Sequence, residues 1–262
     1  MRPLLSFLTV LLISINFISC DKLKTEGKRS PHKTIVVLCD LSESTKSLRD
    51  VYLDSFKKVI SPIGPGDVIV AAKITDASIT EPEIPVKEAF PEFVPLDKMG
   101  NPTDNPVLVK KAKEEADKKI EAKKEDIIKV ASHFLSAKGD DHKRILHTDI
   151  MSSLHVAEKV FKNYPRDKSV LVMLSDMIED SSEYNFEKEN LTDRRIEEII
   201  TREKTKNRIP DLRDVKVYVV AAGAGGSKKF FAVQNFWLRY FKECGANLSK
   251  ENYGSALLNF NE

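Results

Sequence analysis

The chain has no surplus of charge of either sign. Its 262 residues carry 42 Lys and Arg against 40 Asp and Glu, a formal net charge of +2. That balance argues against a dedicated nucleic-acid binder, which concentrates basic side chains on one face. Cysteine is scarce, at three residues. The five histidines are also uninformative: His142, His147 and His155 show no metal-ligand spacing with Cys or carboxylates. Nucleotide loops are missing as well. "GAGGS" (223–227) lacks the Lys-Ser/Thr of a P-loop and the spacing of a dinucleotide fingerprint, so it reads as a strand-to-helix turn. Ser42 has no G-x-S-x-G elbow, and no Ser-His-Asp or Cys-His arrangement can be traced. With 41% apolar and 31% charged residues, the composition is that of a soluble globular chain.

The first twenty residues stand apart. "MRPLLSFLTVLLISINFISC" runs from one Arg through a short apolar stretch to Ser19 and Cys20. This is the order of a secretory signal, and it is short for a membrane span. Its end, "FISC", resembles a bacterial lipobox, with Phe17 in place of the usual Leu. The resemblance implies a signal peptide over 1–19, lipidation at Cys20 and a bacterial envelope lipoprotein facing the periplasm or exterior. More than one acyl chain would make the membrane attachment stable. Residues 20–33 then read as a lipidated N-terminus and polar tether.

From residue 34 onward, strand and helix patterns alternate. "TIVVLC" (34–39) is a β-branched run suited to a strand buried on both faces. A helix follows, with Leu48, Val51, Tyr52, Phe56, Val59 and Ile60 at helical spacing. "DVIVAAKIT" (67–75) is a second strand, and the residues from "DASIT" to about Val86 suit a third strand in a hairpin. The Pro-rich tract 87–104 reads as loop. Asn105 then Pro106 marks a helix start, and the helix runs to about Ser136 with a stripe of Ala112, Ala116, Ile120, Ile127, Ala131 and Phe134. Its charged middle reads as a solvated face stitched by Glu114–Lys118 and Glu115–Lys119. "SVLVMLSD" (169–176) and "DVKVYVVAAG" (214–223) are further strands on either side of a charged helix, 191–203. The last helix is stopped by Gly245, and "YGSALLNF" closes the chain as an edge strand.

Strands joined by crossover helices predict an α/β fold, a doubly wound and mostly parallel central sheet flanked by helices, in one domain over 34–262 with an inserted segment at about 87–137. Ligand sites in such sheets lie outside the carboxyl ends of the strands. Asp40 and Asp176 each close a strand, so they are expected on that same rim. Cys39 belongs to that rim and Cys244 to the opposite one. Disulfide α-carbons lie within about 7 Å, well short of that separation, so the two thiols are expected free.

"DLSES" (40–44) after an apolar strand resembles the metal-ion-dependent adhesion site of the von Willebrand factor type A family. Thr148 in "ILHTDIMSSL" and Asp176 in "VLVMLSDM" match the family's second and third loops. The resemblance spans roughly residues 33–262. It implies Mg²⁺ or Mn²⁺ held by Asp40, Ser42, Ser44, Thr148 and Asp176, with no catalytic residues, and a protein partner that completes the site with an acidic side chain. Two departures are Leu146 and His147 before the Thr, where the family has small residues, and Met177 after the second Asp, where it has Gly. The residue types suit the chemistry, because hard cations prefer oxygen ligands. Read from the string alone, Ser42 and Ser44 could equally cap the next helix. Two other functions stay open: a metal-dependent hydrolase or phosphatase with Asp40 as nucleophile, and a structural lipoprotein with a vestigial site.

Overall fold

The computed structural model describes residues 31–76, 78–136, 147–220, 226–257 and 260. The signal segment and Cys20 lie outside the described residues, as does most of the "GAGGS" turn. Pro31–Glu262 forms one compact unit.

Six strands form a single sheet: β1 (Lys33–Asp40), β2 (Val68–Ile74), β3 (Val86–Ala89), β4 (Lys168–Leu174), β5 (Lys216–Val220) and β6 (Asn247–Gly254). Their spatial order is β3-β2-β1-β4-β5-β6, with every pairing parallel except the antiparallel β2–β3. This is the doubly wound order, and its direction reverses between β1 and β4. All eight residues of β1 are buried, as its continuous apolar run requires of a central strand.

Helices α1 (Arg49–Ile60) and α2 (Pro106–Leu135) cover one face. Tyr52, Phe56, Ile127 and Phe134 close there over Ile35, Val37 and Val172. The other face is covered by α3 (Ile150–Asn163), α4 (Asp193–Thr205) and α5 (Ser227–Glu243), with Trp237, Tyr240 and Phe241 over Val36, Leu38 and Met173. Odd and even residues of β1 thus serve opposite cores, as the two-residue period of a strand demands. Cys39 and Cys244 are buried free thiols.

Three expectations need correction. The third strand falls at Val86–Ala89 rather than before it. Pro82 and Pro85 have no N–H to give a ladder, and Thr75 and Ser78 close a turn instead, with Thr75 N–H donating to Ser78 Oγ at 2.9 Å. The edge strand is the polar Asn247–Gly254, while the apolar tail beyond it reaches the α1 face, where Leu257 is buried. In α2 the Glu114–Lys118 and Glu115–Lys119 pairs are absent among the described residues. Pairs form instead at Glu121–Lys124 and Asp126–Lys129. Holding two long exposed side chains together costs about what such a pair gains.

The caps follow the sequence closely. Asn105 Oδ1 accepts from Val107 N–H at 3.0 Å, with Pro106 at the first helical position. At the end of α5, Gly245 takes φ +77°. Its N–H donates to Lys242 O at 3.0 Å, and Ala246 N–H to Phe241 O at 2.9 Å, which is the Schellman arrangement. A Cβ on Gly245 would lie 2.8 Å from Arg213 Cγ and 3.3 Å from its Cα. Gly245→Ala is therefore expected to lower unfolding stability by about 1–2 kcal/mol, the cost of left-handed backbone for an L-residue. Denaturant unfolding should show a lower midpoint with unchanged slope.

Candidate metal centre

β1 delivers Asp40 to the rim beside the residues that follow β4, because Cys39 pairs with Leu174 in register. The Asp40 carboxylate is fully buried. Oδ1 accepts from Ser42 N–H and Oδ2 from the Ser175 hydroxyl, each at 2.9 Å. Across the junction, Ser44 Oγ donates to Asp176 Oδ2 at 2.9 Å, and Asp176 Oδ1 accepts from Ile178 N–H at 2.9 Å. Ser42 Oγ and Ser44 Oγ lie 3.0 Å apart. Four of the five expected residues are thus joined in one cluster drawn from two loops.

Thr148 sits in the loop before α3, buried. It exchanges backbone hydrogen bonds with Asp180, N–H to O at 2.9 Å and O from N–H at 3.0 Å. That pairing ties its loop to the segment leaving Asp176. Among the described residues, no hydrogen bond joins the Thr148 hydroxyl to the cluster. His147 also reaches Asp180, at 3.3 Å from its Oδ2. Asp149 caps α3, accepting from Ser152 N–H at 2.9 Å.

The capping alternative can be decided for the serines. Ser42 precedes the 3-10 segment Glu43–Leu48, and its side chain makes no capping hydrogen bond. The hydroxyl that braces the turn belongs to Thr45, which donates to Asp40 O at 2.9 Å and Ser42 O at 3.0 Å. Ser42 and Ser44 keep their hydroxyls turned toward the carboxylates.

Three contributors escaped the sequence reading. Ser175 donates to Asp40 and accepts from Met177 N–H at 2.9 Å. Its signal was a lone hydroxyl between an apolar strand and a carboxylate. Arg49 opens α1, where the helix dipole disfavours a cation, and that awkward placement was its signal. Its guanidinium bonds the carbonyls of Asp40 at 2.6 Å and Ser42 at 3.1 Å, not either carboxylate. Trp237 Nε1–H donates to Met177 O at 2.8 Å. Met177 is buried at φ +65°, the left-handed region that suits Gly. The Trp237 clamp and the core around Met177 hold that strained turn in place.

The electrostatics are those of a site short of positive charge. Burial pushes the Asp40 carboxyl above its ordinary range, against the hydrogen bonds from Ser42 and Ser175 and the nearby Arg49 charge. Asp176 rises from 3.8 to about 6, by burial first and the Asp40 charge second, opposed by Ile178 N–H and the Ser44 hydroxyl. Neither carboxylate has an ion pair among the described residues. Burial pushes the Cys39 thiol up to about 12, which disfavours its thiolate form.

These donors fit a hard divalent cation. Among the described residues no three His, Cys, Asp or Glu side chains converge on a metal position. A cation here would rest on two carboxylates, hydroxyls and water, a donor set that suits Mg²⁺ or Mn²⁺ and not zinc.

No protein-family model matches the sequence, and no curated protein matches it. Among solved structures, a von Willebrand factor type A protein from Catenulispora acidiphila is similar at 10% sequence identity and a TM-score of 0.38, over 82% of this chain and 43% of that one. This chain thus spans less than half of that protein's length. What the strand order itself defines is a doubly wound α/β domain, with a carboxylate–hydroxyl cluster at its switch point.

A carboxyl whose folded pKa lies above its unfolded value binds more protons when folded. Its stabilising effect is complete below the unfolded value and is lost as pH rises through the folded one. For Asp176, between 3.8 and about 6, the loss is about 3 kcal/mol. Millimolar Mg²⁺ is expected to raise the unfolding midpoint at pH 7.5 and to have much less effect at pH 5. Asp176→Asn should stabilise the metal-free protein at pH 7.5 and remove the Mg²⁺ response. Thermal unfolding at both pH values checks this, and equal Mg²⁺ shifts at the two would contradict it.

Proposed function

We propose that this is a membrane-tethered, extracytoplasmic binding protein. In this reading Asp40, Ser42, Ser44, Thr148 and Asp176 hold Mg²⁺ or Mn²⁺ at the rim, and an acidic side chain of a protein partner completes the site. The observation that carries the reading is the direction of the serine hydroxyls. Ser44 donates to Asp176, from a different strand end, and Ser42 lies against Ser44, while Thr45 braces the turn. When bound, the cation supplies positive charge and an open coordination position. The chain's own residues orient the oxygens, exclude bulk water and keep both carboxylates close.

Attachment through a lipid on Cys20 and residence in the bacterial envelope belong to the same proposal. Among the described residues no helix is long and apolar enough to cross a membrane.

The hydrolase reading is less well supported. Both Asp40 oxygens are engaged and the residue is fully buried, which leaves a poor nucleophile. The residue two positions on is Ser42, which offers no general acid. A vestigial site would not account for two buried carboxylates that have no ion pair among the described residues.

Titration of Mg²⁺ and Mn²⁺ into wild type, Asp40→Ala and Ser42→Ala, with a generic phosphatase assay alongside, separates the readings. Binding lost in both variants, without turnover in any form, is the expected result. Turnover that disappears in Asp40→Ala would instead establish the hydrolase, and no metal binding by wild type would leave the vestigial site.

A further inference from the structure

Beside the cluster lies a cavity of about 390 Å³. It is walled by the first turn of α3, by the loop after Asp176 and by the connection between α4 and β5. Four carboxyls line it, Asp149, Glu179, Glu183 and Glu203, against one guanidinium, Arg208.

These groups are not equally answered: burial, then the Asp149 charge, raises the Glu179 carboxyl well above its ordinary range, and Arg208 Nε is itself buried without a hydrogen-bond partner. Arg208 forms a fork on Glu183 and also bonds Glu203 Oε1 at 2.6 Å, while Lys206 bonds Glu183 at 2.8 Å. Those two acids are answered. Asp149 and Glu179 have no ion pair among the described residues, although Asp149 Oδ1 accepts from Ser152 N–H at 2.9 Å and Oδ2 from the Ser152 hydroxyl at 2.6 Å. Glu179 is completely buried. Its Oε2 accepts from Ile150 N–H at 2.9 Å and Met151 N–H at 3.1 Å. Its Oε1 makes no hydrogen bond of good geometry, the Ser181 hydroxyl being the side chain that interacts with the carboxyl, and Glu179 and Ser181 both line the cavity. A buried carboxyl oxygen without a good hydrogen bond is costly, so a donor that fills the cavity would relieve it.

We propose that this cavity receives the ammonium group of a lysine side chain presented by the protein partner, with Glu179 and Asp149 as its acceptors. A primary ammonium carries three donors on a flexible apolar stem. The stem finds Ile79, Met151 and Tyr184 along the same walls. A metal ion fits less well, because no three His, Cys, Asp or Glu side chains converge there among the described residues. The placement also fits the rim. Asp149 follows Thr148 directly, and Glu179 lies on the segment that leaves Asp176. The assignment rests on the reading of this rim as a partner-binding surface, and it adds a basic residue near the partner's acidic one.

The test uses the metal-free protein and small probes. Nα-acetyl-lysine N-methylamide is expected to bind saturably in the millimolar range, with shifts in the amide resonances of residues 179–184. The matching norleucine amide, which lacks the ammonium, should not bind. Glu179→Gln keeps the acceptor that caps α3 and is expected to weaken binding by about tenfold or more. Ser182→Trp, on an exposed wall residue, should block the cavity with the fold intact. No saturable binding, equal binding of norleucine amide, or indifference to both variants would overturn the assignment. So would displacement of the probe by Ca²⁺, which would mark a cation site. 1,5-Diaminopentane binding in place of the lysine probe would mark a site for free amines instead. Lysine binding without any Mg²⁺ binding would uphold the cavity and reject the metal site, and the opposite result would do the reverse.

Discussion

Two buried carboxylates brought together at the neighbouring ends of β1 and β4 are the constraint that organises this rim. Burial opposes ionisation of both Asp40 and Asp176, and the Asp40 charge adds to the cost at Asp176. A fold with only structural needs would fill such a junction with apolar groups. Here the surrounding loops aim backbone N–H groups and hydroxyls at the oxygens, and the guanidinium of Arg49 is engaged by carbonyls.

That arrangement needs rigid support, which comes from both cores. On the α1 side, Thr45 and Arg49 fix the carbonyls of the Asp40–Ser42 turn from below. On the α5 side, Trp237 holds the left-handed Met177, and so the direction in which Asp176 enters the site. Ser175 joins the halves, linking the Asp40 carboxylate to the Met177 amide through one hydroxyl. The oxygens are thereby held in place by the protein alone, so the proposed cation would pay little ordering cost on binding.

Much of this was legible in the sequence where a local pattern forces the outcome. β-branched runs marked the strands, strand ends placed Asp40 and Asp176 on one rim, and Asn105–Pro106 and Gly245 marked helix ends. What stayed hidden depends on contacts between distant segments. Nothing local distinguishes Glu179 from a surface acid in "DMIEDSSE", yet it is wholly buried under α3. The third strand lies later than its apolar pattern suggests, because Pro82 and Pro85 interrupt the hairpin. Thr148 reached the expected rim, but its hydroxyl stays outside the hydrogen-bonded cluster. The function of Met177 could be read only with Trp237 beside it, sixty residues away in the chain.

On the proposed reading, the oxygens around Asp40 and Asp176 form one divalent-cation site. Crystals of the protein grown with Mn²⁺ and measured for anomalous scattering test it most directly. One strong manganese peak is expected, within coordinating reach of the Ser42 and Ser44 hydroxyls and bounded by Asp40, Thr148 and Asp176. A map with no peak there, or with manganese bound only elsewhere on the surface, would contradict it.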